Sequence, residues 1–529
     1  MLYAVLGAIL GLFALGLYLS KINGVMSRMT PEALSLSPNR WTSKEIQEAY
    51  EAYVASPVPV QDSLPPKTGR RYIVVGGSGF LGGWIVVHLL ARGEKPSHIR
   101  IIDMREPTRS DLTTGDASKV AFFKANITNP DEVEAAFLAP WPADVGREKS
   151  SPLTVFHTAA NIRFYERALF LVPHSARVNI DGTRNILAAS RKAGASILVY
   201  TSSGSVAIQR TKYWIWPWQS IPKHFVQVLN DDDSRSPKEH SNFWSNYAYT
   251  KTKAERSVRD ADKSVTDQGS LLRTGCIRPG NGVYGPGKLR GDILAGAYLI
   301  RKVNPTWVTG MIQSFVYVEN VSLSHLCYEQ RLIELESPPS RHPDIGGQAY
   351  MITDPNPPIT FGDLYKALNL LSNGETVFPA VPPIVMLVLA HAFELWYLAR
   401  ARLLGVAPIT RNSPAWMRIF AKIFPPLGGD LVNLQPSLFP LTSVHLLFDD
   451  SRAKLSPSAG GLGYNPPFTT MTGLCKLCHD YLHGARKPEE RQAAGGGVSL
   501  GFGLPKAERG VEKVAEKLGV IDPKADARR

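Results

Sequence analysis

The stretch "YIVVGGSGFLGGW", from Tyr72 to Trp84, constrains the fold more than any other part of the sequence. The stretch begins with a β-branched run, "YIVV". A glycine-rich turn follows, and an apolar, helix-like run begins after the turn. Gly76, Gly79 and Gly82 recur at every third position between the two runs. Glycine allows the backbone to turn sharply and lets a helix approach a strand closely. The stretch therefore predicts a strand, a tight turn and a helix in direct succession.

Short β-branched runs alternate with helix-like stretches from Arg71 to about Glu375. The runs are "RYIVV", "IRIID", "LTVFH", "SILVYTSS" and "GCIRPG". Nearly continuous apolar runs are typical of buried parallel strands, because helices cover both faces of such a sheet. The alternation predicts an α/β protein with a doubly wound parallel sheet of the Rossmann type and a smaller C-terminal substrate-binding region.

The glycine turn is also suited to a dinucleotide, because a helix N-terminus attracts phosphate. Gly76 would permit the turn, Gly79 would let a pyrophosphate approach the backbone, and Gly82 would let the helix pack on the sheet. Asp103 ends the next strand, about 20 residues further on, where an acidic side chain binds ribose hydroxyls. We therefore expect NAD rather than NADP, although Arg105 nearby could accept a 2′-phosphate.

Ordered motifs over about residues 70 to 480 resemble the extended short-chain dehydrogenases/reductases. The chain is most similar to their 3β-hydroxysteroid dehydrogenase group, which includes the decarboxylating sterol-4α-carboxylate 3-dehydrogenases. The motifs are "VVGGSGFLGGWIVVHLLARG", "VFHTAA", "NIDGTRNIL", "LVYTSSGSV", "YAYTKTKAE", "IRPGNGVYGPG", "SFVYVENVSLSH", "GGQAYMITD", "LQPSLFPLTS" and "RAKLSPSAGGLGYNPP". The resemblance implies an oxidoreductase that acts on an alcohol carbon.

The family's Tyr-x-x-x-Lys pattern occurs twice, as Tyr247 with Lys251 and as Tyr249 with Lys253. In the family a Glu follows the catalytic Lys by four residues, usually behind an Ala. Glu255 stands at that distance from Lys251, and no Glu stands there after Lys253. The resemblance therefore favours Tyr247 and Lys251, and we expect the second pair to lie on another face of the helix.

The chemistry fits this choice, because oxidation of an alcohol needs a base for the hydroxyl proton. The ordinary pKa of tyrosine, about 10, is too high for that task unless a positive charge such as the Lys251 ammonium favours the phenolate. The resemblance implies that Ser203 orients the substrate oxygen. Ser202 is the alternative, since a shift of one residue would exchange the two.

The resemblance also implies a cofactor-binding set around the glycine turn. Asn126 stands where the family usually has Asp near the adenine, and an amide can still form a hydrogen bond there. The expected cofactor-binding residues are Gly76, Gly79, Phe80, Leu81, Gly82, Asp103, Asn126, Ile127, Thr158, Ala159, Ala160, Lys251 and Pro279. We expect no metal site, because Cys475, Cys478 and His479 fall in an amphipathic helix without a second ligand pair.

The N-terminus predicts a membrane anchor. Residues 2–20 carry no charge, and about 19 helical residues span about 28 Å, close to the thickness of the hydrocarbon core. Lys21 and Arg28 follow the stretch, which by the positive-inside rule directs the remainder to the cytosol. We expect a single-pass anchor over 1–20 in the endoplasmic reticulum membrane and a polar stalk over 21–70 that contains one short helix around "SKEIQEAYEAYV".

The remaining chain divides into the NAD-binding domain over 71–375, a membrane-associated or substrate-binding region over 376–484 and a flexible tail over 485–529. The apolar stretch from Val381 contains Glu394, so it is expected to lie in the membrane interface or to line an apolar pocket. The insert at about 205–246 alternates Trp214, Trp216 and Trp218. These could line a substrate entrance, meet a membrane or simply pack.

Together these features predict NAD-dependent oxidation of a 3β-hydroxyl on a sterol, steroid or triterpenoid, with loss of CO2 where a 4α-carboxylate is present. A reductase or epimerase of the same fold acting on another apolar or nucleotide-linked substrate is one alternative. A non-enzymatic NAD-binding scaffold is another. The net charge of +13 does not indicate nucleic acid, because no basic run is interleaved with aromatics. A homodimer or contact with sterol-pathway enzymes remains open.

Overall fold

The computed structural model describes residues 1–484 except 143–144, 146–150, 287–291, 293, 337–339, 406–409 and 411–412. The tail over 485–529, expected to be flexible, lies outside the described residues. The strands, numbered in chain order, are β1 Arg71–Val75, β2 Ile99–Asp103, β3 Ala121–Lys124, β4 Leu153–His157, β5 Ala195–Thr201, β6 Val226–Leu229, β7 Ser264–Val265, β8 Leu271–Pro279, β9 Val283–Tyr284, β10 Ile312–Gln313, β11 Val316–Tyr317, β12 Ala349–Ile352, β13 Ile359–Thr360 and β14 His445–Phe448.

The central sheet has the strand order β12-β8-β5-β4-β1-β2-β3, and every neighbouring pair in this order is parallel. The short strand β7 pairs antiparallel with β8. The prediction of a parallel Rossmann-type sheet is confirmed. The order runs outward from β1 to β3 on one side and from β4 onward on the other, so a crevice opens beyond the carboxyl ends of β1 and β4.

Helices cover both faces of this sheet. Tyr72 and Val74 of β1 face a core with the helices Phe80–Ala91 and Val318–Ile333, whereas Ile73 and Val75 face the opposite core. Side chains alternate along a strand, so one short run supplies both cores. The helices on the opposite face are Pro130–Leu138, Thr183–Lys192 and Asn246–Asp260. The short helix Val172–Ala176 and a π-helical stretch, Arg177–Gly182, lead without a break into the Thr183–Lys192 helix.

A second lobe is built around the sheet β13-β10-β14-β6 and the short pair β9–β11. Its core joins residues that are distant in the chain, including Tyr213, Leu364 and Leu438. The helices of this lobe and of the connecting segments are Ala295–Arg301, Phe361–Leu371, Pro383–Leu404, Ala415–Ile423, Phe439–Thr442, Ser451–Lys454 and Thr470–His483. A further short helix, Ser110–Thr113, follows β2.

The N-terminal segment differs from the expected stalk. The first helix runs over Leu2–Met26, and its last turns bury Ile22 and Met26 in the core of the second lobe. The helices Pro31–Leu36 and Ser43–Ala55 follow, and Ile46 is fully buried. Apolar side chains at helical spacing therefore pack the segment onto the lobe. By length and composition, the N-terminal helix and Pro383–Leu404 are both apolar enough to cross a membrane.

Candidate active site

The glycine turn after β1 leaves no room for side chains. Gly76 has a φ of +83°, and a Cβ there would lie 2.6 Å from Thr158 Oγ1. A Cβ on Gly82 would lie 2.3 Å from the carbonyl oxygen of Gly76. Gly79 caps the N-terminus of the Phe80–Ala91 helix and donates its N–H to the Gly76 carbonyl at 2.9 Å. The turn therefore presents bare backbone at a helix N-terminus, which suits a pyrophosphate.

Asp103 lies beside this turn at the carboxyl end of β2. Its carboxylate accepts backbone N–H bonds from Ser78 and from Arg105, each at 3.2 Å. The Arg105 side chain is exposed. Thr158, at the end of β4, donates its hydroxyl to the carbonyl of Val75 at 2.9 Å. These hydrogen bonds connect the turn, β2 and β4 around the crevice at the carboxyl ends of the strands.

A cavity of about 540 Å³ extends from the glycine turn to an apolar wall. Two sides can be distinguished by their lining. The glycine side is formed by the turn, and the cavity lining contains every residue expected to bind the cofactor: Gly76, Gly79, Phe80, Leu81, Gly82, Asp103, Asn126, Ile127, Thr158, Ala159, Ala160, Lys251 and Pro279. The apolar side is lined by Ile162, Phe164, Val178, Trp244, Val283 and Leu441.

Tyr247 and Lys251 line this cavity from the first turns of the Asn246–Asp260 helix, which Ser245 caps. The Lys251 Nζ donates to the carbonyl of Thr201 at 2.6 Å and lies 4.2 Å from the centre of the Tyr200 ring. Burial lowers the pKa of Lys251 to about 7. Burial also raises the pKa of Tyr247 to about 12, against the opposing effect of the Ser203 hydroxyl. Lys251 can therefore change protonation near neutral pH, whereas Tyr247 stays protonated unless its surroundings favour the phenolate.

Tyr249 and Lys253 lie on another face of the same helix. The Tyr249 ring packs against Phe243 and His240, with ring centroids 5.5 and 5.1 Å away. The Lys253 Nζ lies 5.6 Å from the Tyr249 ring centroid, and its side chain is exposed. Neither residue is among the described residues that line the cavity.

The two candidate serines have different partners. Ser202 donates its hydroxyl hydrogen bond to the Glu255 carboxylate, so its proton is already used within the protein. Ser203 lies 2.8 Å from the Ser205 hydroxyl, oxygen to oxygen, and its hydroxyl acts to lower the pKa of Tyr247. The geometry therefore favours Ser203 as the hydroxyl that can reach a substrate, and its role remains a prediction.

Arg278 is a supporting residue that sequence reasoning did not single out. Its guanidinium donates to both carboxylate oxygens of Glu255, at 2.9 and 2.5 Å, and both side chains are buried. Burial raises the pKa of Glu255, but Arg278, Ser202 and Arg259 together outweigh this effect, so the net pKa is lowered. The ionised Glu255 holds the helix of Lys251 onto β8. The "IRPG" motif contains Arg278, but no local pattern indicates its partner.

Behind the apolar side, ion pairs attach the Pro383–Leu404 helix. Glu394 accepts two bonds from Arg167, at 2.6 and 2.7 Å. Arg163, between two lining residues, donates to the Tyr397 hydroxyl at 2.9 Å, and Tyr397 donates to Glu166 at 2.6 Å. The apolar stretch from Val381 thus forms a helix whose inner face supports the cavity wall. Among the described residues, no group of three or more His, Cys, Asp or Glu side chains could hold a metal.

The 3-beta hydroxysteroid dehydrogenase/isomerase family model matches residues 73–374. A 3beta-hydroxysteroid-dehydrogenase/decarboxylase (isoform 2) of Arabidopsis thaliana is 26% identical over 431 residues, which cover 79% of this chain and 63% of that protein. The decarboxylating sterol-4-alpha-carboxylate 3-dehydrogenase of Candida albicans is 28% identical over 293 residues, 54% of this chain and 71% of the other.

The human 3 beta-hydroxysteroid dehydrogenase type 7 is 29% identical over 299 residues, covering 55% of this chain and 70% of that protein. Among solved structures, the UDP-glucose 4-epimerase of Thermotoga maritima aligns with a TM-score of 0.49 at 16% identity, over 78% of this chain and 98% of the epimerase.

Proposed function

The chain belongs to the 3-beta hydroxysteroid dehydrogenase/isomerase family, and on that premise we propose that it oxidises the 3β-hydroxyl of a sterol, steroid or triterpenoid with NAD as the hydride acceptor. One observation carries the proposal. Tyr247, Lys251 and Ser203 line a single cavity that has bare glycine backbone on one side and apolar side chains on the other. Such a cavity suits a dinucleotide next to a hydrophobic alcohol.

The glycine turn and Asp103 would hold the cofactor. The turn supplies N–H groups and close backbone approach for the pyrophosphate, and the Asp103 carboxylate suits two ribose hydroxyls. A carboxylate would repel the 2′-phosphate of NADP, which supports NAD. A nicotinamide cofactor held there would supply the hydride acceptor for oxidation of the carbinol carbon.

Tyr247 would take the hydroxyl proton of the substrate. Its resting pKa of about 12 keeps it protonated at neutral pH, so the phenolate has to be favoured by nearby positive charge. Lys251, whose pKa is about 7, is the cation on the same helix, one turn further along. Ser203 would orient the substrate oxygen through its hydroxyl, since it lines the same cavity as Tyr247 and acts on the pKa of that residue.

Decarboxylation would follow where the substrate carries a 4α-carboxylate. Oxidation at carbon 3 then gives a β-keto acid, which loses CO2 because the ketone accepts the electron pair. No additional catalytic residue is needed for that step. The names of the Arabidopsis and Candida relatives, which include decarboxylase and decarboxylating, support this form of the reaction.

We also propose that the N-terminal helix anchors the protein in the endoplasmic reticulum membrane with the catalytic domain in the cytosol. Its outward side chains are apolar and exposed over most of its length. A sterol partitions into the bilayer, so an enzyme anchored in the same membrane can bind its substrate there and does not depend on sterol dissolved in water.

The test uses membranes that contain the full chain, NAD and a 4α-carboxy-3β-hydroxysterol, with NADH and CO2 followed together. Formation of both, lost in Tyr247→Phe and kept in Tyr249→Phe, is the expected result. NADH without CO2 would indicate plain 3β-hydroxyl oxidation. Neither product with NAD or NADP would contradict the proposal and favour a reductase or epimerase on another substrate.

A further inference from the structure

The helix Ala415–Ile423 carries its apolar stripe on the outside. Trp416, Ile419, Phe420 and Ile423 are 52%, 59%, 39% and 58% exposed, and no residue of the helix is buried. These positions are spaced i, i+3, i+4 and i+7, which places them within an arc of about 100°. In a helix of a water-soluble protein such a stripe normally faces the core.

Contacts just after the C-terminal end of this helix hold it in place, whereas its apolar stripe does not. Trp396 donates its indole N–H to the carbonyl of Pro425 at 3.1 Å, and its ring lies 4.8 Å from that of Phe424. Arg418 and Lys422 lie on the side of the helix away from the stripe. The helix is therefore amphipathic and presents its apolar face away from the protein.

Neighbouring elements extend this apolar surface. The Pro383–Leu404 helix exposes several large apolar side chains, and the rings of Trp216 and Trp218 stack at the surface with their centroids 5.1 Å apart. Trp214 stacks on Tyr18 of the N-terminal helix and forms a hydrogen bond with His391 of the Pro383–Leu404 helix. The apolar platform is formed by Trp214, Trp216, Trp218, Val385, Val388, Leu395, Trp416, Ile419, Phe420 and Ile423.

We propose that the apolar platform docks on the phospholipid bilayer that the N-terminal helix enters, with the Ala415–Ile423 helix lying in the plane between headgroups and acyl chains. Continuity with the N-terminal helix argues for lipid as the occupant. The composition agrees, since Trp and Phe favour the interface and Arg418 and Lys422 can reach lipid phosphates. The net charge of +13 favours an anionic leaflet.

Docking would place the apolar side of the cavity close to the lipid. The Pro383–Leu404 helix exposes Val385 and Val388 outward, and its Tyr397 contacts Arg163, which lies between the lining residues Ile162 and Phe164. A bilayer-borne sterol could then reach the cavity without crossing water. This consequence rests on the proposed dehydrogenase function, whereas the docking rests only on the proposed N-terminal anchor.

The experiment attaches a spin label to Ile419→Cys on the apolar stripe and, as a matched control, to Arg418→Cys on the opposite side. The full chain is reconstituted in vesicles of phosphatidylcholine and phosphatidylserine. Its natural cysteines are buried or half-buried, so the introduced sites react preferentially. Each label is then tested for relaxation by oxygen, which concentrates in lipid, and by a water-soluble nickel complex.

We expect the label at position 419 to be accessible to oxygen and shielded from nickel, and the label at 418 to show a higher nickel-to-oxygen ratio, by at least about fivefold. Equal and high nickel access at both positions would place the helix in water and overturn the proposal. Shielding of position 419 from both reagents would indicate a protein partner or a second copy and would also overturn it. Neither reading needs turnover, so a failed dehydrogenase assay leaves this result intact.

An activity readout tests the consequence for substrate access. Ile419→Asp should raise the KM for a sterol carried in the vesicles, by about fivefold or more, and leave kcat within about twofold. Arg418→Gln should leave both constants within about twofold. An unchanged KM in Ile419→Asp would show that the stripe has no part in delivering the substrate.

Discussion

The two sides of the cavity are held by different kinds of contact. On the glycine side, backbone contacts backbone over short stretches of chain, as where Gly82 lies against the Gly76 carbonyl. On the apolar side, the wall is supported by pairs far apart in sequence, such as Arg167 with Glu394. The glycine side therefore tolerates almost no added side-chain volume. On the apolar side, the residues that line the cavity can change as long as the ion pairs behind them are kept.

The largest effect is expected at the boundary between the two sides. Tyr247→Phe should lower the rate of NADH formation by about 10³-fold or more, because the proposed proton acceptor is lost, and should leave NAD affinity within about threefold. Tyr249→Phe, on the other face, should change the rate by less than about twofold. Equal losses in both variants would contradict the distinction between the two faces of the helix.

Gly82→Ala tests how little change the glycine side tolerates. The added Cβ would overlap the Gly76 carbonyl, so the turn must open, and overpacking of this kind costs about 1–3 kcal/mol. We expect NAD to bind about 10- to 100-fold more weakly, measured by calorimetry on the purified chain. Gly24→Ala is the matched control, since nothing lies within 4 Å of a Cβ there. Tight NAD binding by Gly82→Ala would contradict the proposed role of the glycine turn in holding the pyrophosphate.

Asp103→Asn should change the choice of cofactor more than the rate. Loss of the charge removes repulsion of a 2′-phosphate and weakens bonds to the ribose hydroxyls, by about 1–2 kcal/mol together. The ratio of kcat/KM for NAD to that for NADP should fall about tenfold. An unchanged ratio would mean that Asp103 does not contact the ribose.

Glu394→Gln probes the apolar side. It leaves the partly buried Arg167 without its carboxylate, and we expect a loss of about 1–3 kcal/mol in unfolding free energy. NAD affinity should not change, and KM for the sterol should rise modestly. In a double-mutant cycle with Arg167→Gln, additive losses would show that the pair contributes nothing of its own.

The last expected effect has the opposite sign, because it is a gain in stability. Burial lowers the pKa of Lys251 from 10.5 to about 7, so between these values the unfolded chain holds more protons at this lysine than the folded protein does. This group's contribution to stability therefore improves as pH rises from 7 to 10.5 and is at its most unfavourable below pH 7.

Lys251→Met removes that buried cation. It should raise the thermal midpoint at pH 6 and raise it less at pH 9, measured by calorimetry. Lys253→Met, outside the cavity, should leave the midpoint within about 1 °C at both pH values. A larger gain at pH 9 than at pH 6 would contradict a lowered pKa for Lys251 in the folded protein.

The glycine side could be predicted from sequence because its determinants are local. The glycine spacing, the strand before it and Asp103 at the next strand end all lie within one strand–helix–strand unit. The Tyr247–Lys251 pair was selected by Glu255, which stands on the same helix. Each of these signals is a short-range pattern with a direct steric or electrostatic meaning.

The apolar side was less accessible to prediction. Arg167 and Glu394 are 227 residues apart, and nothing in either segment indicates the other. The packing of the segment predicted as a stalk was hidden for a related reason, since the burial of Ile22 and Ile46 depends on a lobe that is distant in the chain. The Ala415–Ile423 stripe has the spacing of a core-facing helix, and only its exposure distinguishes it.

The burial of Ile22 and Met26 makes the first helix a rigid extension of the enzyme, not a tether. Each residue inserted between Leu19 and Ile22 would turn the outer part by about 100° relative to the body. A foreign anchor would therefore have to match the helical phase as well as the length. An insertion of seven residues, close to two full turns, should restore an orientation that an insertion of two destroys.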